Sequence, residues 1–280
     1  MEKQIPNWSF LNTFNSAGIE PECNPDWTIF DVLIKKAGDV LEVQKTEYDR
    51  LVEAWDERLL PYGGDPCHRD WDEFRPLRLD REEDWSDWLA WLLRNSRTGN
   101  LARNIFHEAI ENTQADLAGP EIQRELPTPQ GTRRMDLFIE WKDGAFTHVE
   151  VKIGDENFDK TFEVARDLQA KYQKLTNFIL LPKDSWPNWL STKENQTQGF
   201  HIKIHEIAWV DVAIALRKEL WAGKEDRSWL VWAYSFCGAI EQKLLGHVRM
   251  DMNMGYRGPV SLGLQQKGQV ELMREAMKDG

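Results

Sequence analysis

At Glu121 the spacing of apolar residues changes, and that change limits the folds open to the chain. Before it, apolar side chains recur at three- and four-residue intervals; after it, they alternate with polar ones. Residues 27–38 and 44–60 read as amphipathic helices. The second carries Tyr48, Leu51, Val52, Trp55, Leu59 and Leu60 on one stripe and is ended by Pro61 and the Gly63-Gly64 pair. Another helix begins near Glu82, with Trp85, Trp88, Leu89, Leu92 and Leu93 on its apolar face, and Gly99 separates it from a helix over 100–113. EIQREL, RMDLFIEW and FTHVEVKI then alternate as strands. Residues 155–173 return to helical spacing, followed by the strands NFILLP and HIKIHEIAWV and by helices over 208–221, 228–245 and 268–278. Strands joined by short turns run antiparallel, and a strand reached through a helix can run parallel. The order predicts an α/β chain of the mixed α+β kind, with a central mixed sheet flanked by helices.

The stretch from Arg134 to Ile153 carries the chemistry. By alternation Leu137, Ile139 and Trp141 share one face of the second strand, and Asp136, Phe138 and Glu140 the other. In the third strand Thr147, Val149, Val151 and Ile153 form the aliphatic face, and Phe146, His148, Glu150 and Lys152 the opposite one. The turn decides the register. A two-residue turn at Asp143-Gly144 puts Asp136 opposite Val151. A three-residue loop, Lys142-Asp143-Gly144 with Gly144 left-handed, puts Asp136 opposite Glu150 and aligns both aliphatic faces. The second register is the expected one. Two carboxylates side by side repel unless a positive charge lies between them. Mg²⁺, or Mn²⁺ in its place, is satisfied by few carboxylates plus water, and Lys152 beside it can orient a nucleophile or stabilise phosphate charge.

Asp136 followed by Glu150-Val151-Lys152, on neighbouring strands after one helix and before another, resembles the PD-(D/E)XK nuclease superfamily. The helix with Trp88-Leu89-Ala90-Trp91-Leu92-Leu93, Glu125 in the preceding strand, and the helix with Gln169 and Tyr172 occur in the order of one bacterial branch. Met135 stands where that superfamily often has its proline. The resemblance implies a restriction-endonuclease-like core hydrolysing phosphodiester bonds of DNA, in bacterial antiviral defence or DNA repair, with homodimers common. It implies Asp136 and Glu150 as Mg²⁺ ligands and Lys152 in the water-activating role. Glu125 is similar to a further acidic residue supporting the metal, and Gln169 to a polar helix residue facing the same pocket. It divides the chain into a mainly helical acidic region at 1–80, a nuclease core at 81–246 and a tail at 247–280.

Charge adds a second theme. Residues 1–88 hold 21 acidic and 10 basic side chains within a chain of net charge −12, so the remainder is almost neutral. An acidic chain makes a poor generic polyanion coat, because non-specific nucleic-acid affinity comes from neutralised phosphates. A local patch with a metal ion is not limited in that way. The acidic front suits a basic partner protein, which would make the chain a non-catalytic module on a nuclease-like fold; alternatively, it screens the pocket until substrate arrives. No apolar run is long enough to span a membrane, the N-terminus lacks a secretory pattern, and the three cysteines Cys23, Cys67 and Cys237 form no framework, so a cytoplasmic protein is expected.

Other readings of the charged residues compete. The triad would also suit an ion-pair ladder on a solvated sheet face, but a sheet covered by helices on both sides leaves no such face. Glu82, Glu83, Asp84 and Asp87 could lend a carboxylate to the pocket from their helix, but acidic residues in a first turn more often simply favour the helix dipole. Arg97, Arg103, Arg133 and Arg134 suit phosphates or the acidic front equally. Trp85, Trp88 and Trp91 have core spacing, although some of the 14 tryptophans could stack on bases. His201 and His205 lie ~13 Å apart along a strand, too far for one metal. Cys67-His68 lacks a partner pair for zinc. No P-loop, dinucleotide fingerprint, nucleophile elbow or zinc-protease helix occurs.

Overall fold

The computed structural model describes residues 27–66, 79–110, 120–131, 133–154, 158–187, 189, 202–247 and 259–278. Cys23, Cys67, His68 and His201 lie outside the described residues. The chain divides into two compact units, Met1–Lys45 and Thr46–Gly280. Among the described residues the first unit consists of the opening part of helix α1 (Trp27–Leu59). The periodicity predicted two helices here. One forms because Gly38, the only breaker between them, weakens a helix by about 1 kcal/mol without stopping it. Pro61 and Gly63 do stop it: Gly63, left-handed at φ 109°, donates its N–H to the Leu60 carbonyl.

The second unit starts inside α1 rather than at residue 81. Tyr48, Leu51, Trp55 and Leu59 are buried in the same core cluster as the helices and strands that follow. The unit also includes the closing helix, whose Val270, Leu272, Met273 and Ala276 join that cluster. The expected boundaries at 80 and 246 therefore do not separate compact parts: an apolar helical stripe must be buried, and residues 48–59 of the opening helix and 270–276 of the closing one share one core.

Within this unit follow α2 (Glu82–Asn95), α3 (Asn100–Ile110), β1 (Glu121–Pro127), β2 (Arg134–Glu140), β3 (Phe146–Val151), α4 (Asp159–Lys171), β4 (Leu175–Leu181), β5 (Ile204–Ala208), α5 (Trp209–Ala222), α6 (Arg227–Ala239) and α7 (Pro259–Met277). A single π-helical turn over Ile240–Leu244 continues α6. The five strands form one mixed sheet in sequence order, with β1–β2–β3 antiparallel and β3–β4–β5 parallel. The predicted mixed sheet with flanking helices is present. The last strand is shorter than its alternation suggested, because Asp211 accepts the Ala208 N–H at 2.9 Å and starts α5 there.

The β2–β3 hairpin has the three-residue loop. Trp141 and Ala145 pair at 2.9 Å, Gly144 bonds back to the Trp141 carbonyl, and its φ of 77° requires the freedom of glycine. Leu137 pairs with Val149 and Ile139 with Thr147, the phase that next brings Asp136 alongside Glu150.

Helices cover both faces. Leu137, Ile139, Val149, Val151, Phe178 and Leu180 pack with α2, α3, α5 and α6, while Phe138, Ile179 and Leu181 lie on the side of α4. Trp55, Trp85, Trp189, Trp209 and Trp229 are fully buried, whereas Trp88 and Trp91 lie half-buried against Trp232 at the core's edge. Behind the sheet a wholly buried Arg217 holds Asp65 through two 3.0 Å bonds and Glu241 through bonds of 2.5 and 2.8 Å. Among the described residues no helix is long and apolar enough to cross a membrane.

Candidate active site

Where β2 and β3 part, a cavity of about 850 Å³ opens between the N-terminal ends of α2 and α4. Asp136, Glu150 and Lys152 line it together with Glu82, Glu125, Arg81, Arg133, Arg134 and Lys160. The triad expected from the hairpin is thus gathered in one place.

The β2–β3 ladder ends at the pair Leu137 and Val149. One step beyond, the Asp136 carboxylate accepts the Val151 N–H at 2.8 Å. A side chain does here what a backbone carbonyl does elsewhere in the ladder, which fixes the carboxylate between the strands. This departs from the expected placement on the Phe138 face.

Glu150 is 1% exposed, and its Oε1 lies 3.5 Å from the Lys152 amine. Its Oε2 is buried with no hydrogen-bond partner among the described residues. Burial pushes the Asp136 carboxyl up to about 6, opposed by the Val151 N–H and by the nearby Lys152 and Lys160 charges. Burial, then the neighbouring Asp136 charge, pushes Glu150 up to about 7, with Lys152 and Lys160 pulling it down. The two ammonium groups do not offset the cost of ionising both acids.

Lys152 is 4% exposed. Its backbone N–H reaches the Leu180 carbonyl at 2.7 Å, and its carbonyl accepts the Trp209 indole N–H at 2.8 Å, so the residue is clamped on both sides. Its amine lies 3.3 Å from Glu82 Oε2, while Glu82 Oε1 accepts the Ile153 N–H at 3.1 Å. By sequence Glu82 is one of four acids in an opening turn, where the helix dipole is the commoner role. Its role depends on a contact 70 positions away, for which the sequence carries no signal. Asp84, by contrast, does serve the helix start, accepting the Asp80 and Arg81 N–H groups.

Glu125 lines the cavity, but its carboxylate faces Arg124 at 3.7 Å and Arg134 at 3.6 Å. Gln169 does not belong to the site: it is exposed toward the end of α4 and absent from the cavity wall. The helix meets the cavity with its first turn instead, through Lys160, for which helical spacing alone carries no signal. Arg133 pairs with Glu163 at 2.9 Å; among the described residues neither it nor Arg134 pairs with the acidic front. Arg97 pairs with Asp226, away from the cavity. His148 is wholly buried against Asn177, and burial holds its imidazole down to about 4, a neutral core group.

Among the described residues no three carboxylate, imidazole or thiol groups gather into a ready-made metal cage. What the cavity offers a cation is the half-buried Asp136 carboxylate and the buried Glu150 carboxylate, whose Oε2 has no hydrogen bond among the described residues, a donor set that fits an ion that keeps most of its water. Compared with protein-family models, with curated proteins and with solved structures, the chain finds no match in any of the three.

Proposed function

We propose that the protein is a Mg²⁺-dependent phosphodiesterase that cuts DNA, with a restriction-endonuclease-like core of the PD-(D/E)XK kind. One observation carries this reading. Two carboxylates with raised proton affinity and a buried lysine line one cavity, and the Glu150 Oε2 there has no hydrogen bond among the described residues. Asp136 and Glu150 would hold the cation, which when bound neutralises phosphate charge and makes water a better nucleophile. The Lys152 amine, held by Glu82 and Glu150, is placed to orient the attacking water and to stabilise the charge that develops on the phosphate. Arg81, Arg133, Arg134 and Lys160 supply positive charge along the cavity wall for the phosphates on either side of the cut.

The test is incubation with supercoiled, linear and single-stranded DNA, with and without Mg²⁺, beside an Asp136→Ala preparation. Mg²⁺-dependent cutting lost in the variant supports the reading; equal activity of the two preparations overturns it. A second reading, a non-catalytic module that meets a basic partner protein, draws on the excess of acidic residues in 1–88. Calorimetry separates the two, since such a module has no need to bind Mg²⁺ or Mn²⁺ at Asp136 and Glu150.

A further inference from the structure

At one step of the sheet, between Glu125 and Asp136, both strands exchange faces. Ile122 of β1 and Leu137 and Ile139 of β2 are buried on the side of α2 and α3. Leu126 and Met135, beyond that step, pack instead with Phe138, Val164 and Leu168 on the side of α4. Residues 122 and 126, like 135 and 137, are separated by an even number of positions, so regular strands would put each pair on one face. The register is the same on both sides of the step, with Arg124 opposite Leu137 and Leu126 opposite Met135. No residue is inserted, so this is not a bulge.

What changes is one backbone conformation. Glu125 has φ 54°, the one positive φ outside glycine among the described residues. A β-carbon disfavours that conformation, and residues held in it gather where function requires them. Opposite it stands Asp136, missing from the ladder on both sides and bonded through its carboxylate to the Val151 N–H.

We propose that Glu125 is a positioning residue for Asp136: its left-handed backbone, rather than its carboxylate, inverts the faces of β1 and β2 and so turns the Asp136 carboxylate toward β3 and the cavity. Without the inversion, alternation would place Asp136 on the Phe138 face, and Met135 and Leu126 would leave the contacts they make with α4. Among the described residues the Glu125 carboxylate has loose ion pairs with Arg124 and Arg134. The functional part of the inference rests on Asp136 and Glu150 being cation ligands.

The test compares Glu125→Gly, Glu125→Asn and Glu125→Val in the full chain. Two quantities are read: Mn²⁺ affinity by calorimetry, and hydrogen exchange of the Val151 amide without metal. Gly and Asn take left-handed backbone readily, so both variants are expected to keep wild-type affinity and a protected Val151 amide despite losing the carboxylate. A β-branched valine resists that conformation; Mn²⁺ binding is expected to weaken about 10- to 100-fold, with faster exchange at Val151. Loss of binding in the Gly and Asn variants, or a folded Val variant with wild-type affinity and protection, overturns the proposal. If the Val variant does not fold, the Gly and Asn variants decide. A wild type that binds no Mn²⁺ removes the ligand reading, and the exchange data still decide whether Glu125 sets the Asp136–Val151 bond.

Discussion

Glu82 and Lys152, 70 positions apart, meet at 3.3 Å at the mouth of the cavity, and the same carboxylate also accepts the N–H of Ile153. One side chain from the first turn of α2 thereby secures the end of β3 and its amine together. Glu82→Ala removes this acceptor from the Ile153 N–H and takes one carboxylate away from the Lys152 amine, while Glu150 stays beside it at 3.5 Å. A stability loss of about 1–3 kcal/mol is expected by urea denaturation. With the proposed activity, cleavage should fall at least about tenfold while Mn²⁺ affinity stays near wild type. Unchanged stability and unchanged cleavage together would remove Glu82 from the site.

The raised carboxyls give the metal-free protein a characteristic pH dependence. Asp136, near 6, and Glu150, near 7, keep their protons in the folded state across a window where the unfolded chain has released them. Folding is then favoured by proton uptake. The pair's contribution is full below about pH 4 and is lost as pH rises toward 7, on the order of 1–3 kcal/mol. His148 acts in the opposite sense: buried and neutral, it costs stability as pH falls below the usual imidazole range. The comparison of wild type with Glu150→Gln isolates the carboxyl pair. The variant should be more stable than wild type at pH 8 and no more stable near pH 4, read from urea midpoints. Parallel pH curves for the two proteins would contradict the coupling. Mn²⁺ should stabilise the wild type more as pH rises, because it binds the deprotonated pair.

Arg217 offers a test of the fold independent of any activity. It is wholly buried between Asp65 and Glu241, and its guanidinium lies 4.7 Å from the Trp55 ring. Arg217→Met leaves two buried carboxylates facing each other, a loss of about 3–5 kcal/mol. At this size that corresponds to a melting point lower by roughly 6–20 °C. Further replacement of Asp65 and Glu241 by Asn and Gln should recover part of the loss; no recovery would mean the charges are not its cause.

Truncation distinguishes the acidic front from the core it was grouped with. Removing residues 1–80 deletes Tyr48, Leu51, Trp55 and Leu59 from the core and Asp65 from Arg217. Each such large-to-nothing core loss costs about 2–5 kcal/mol, enough together to abolish cooperative unfolding in circular dichroism. Release of a screened pocket therefore needs a shorter deletion. Removing residues 1–26 keeps every core residue named here and should melt cooperatively; a molten 1–26 deletion would show that the front contributes to folding.

Much of this architecture is legible in the sequence because it follows from local periodicity. The switch to alternation at Glu121, the helical return after Ile153 and the Gly144 turn fix strand order, hairpin register and the proximity of Asp136, Glu150 and Lys152. Helix ends were legible where a specific residue enforces them, at Pro61 and Gly63. The helix over 208–221 is legible too, as α5 from Trp209 to Ala222, whereas the strand before it stops at Ala208 because Asp211 accepts the Ala208 N–H.

The sequence by itself determined which residues could alternate or coil, and so which charges lie near one another along neighbouring strands. Only the tertiary fold set Glu82 against Lys152, turned Lys160 rather than Gln169 to the cavity, buried α1 from Tyr48 to Leu59 in the core, and held Asp136 between strands rather than on a face. The physical reason is range. Periodicity encodes contacts within one element or one turn. Helix docking, a single left-handed residue such as Glu125, and the burial that raises two carboxyls depend on surroundings supplied by segments far away in the chain.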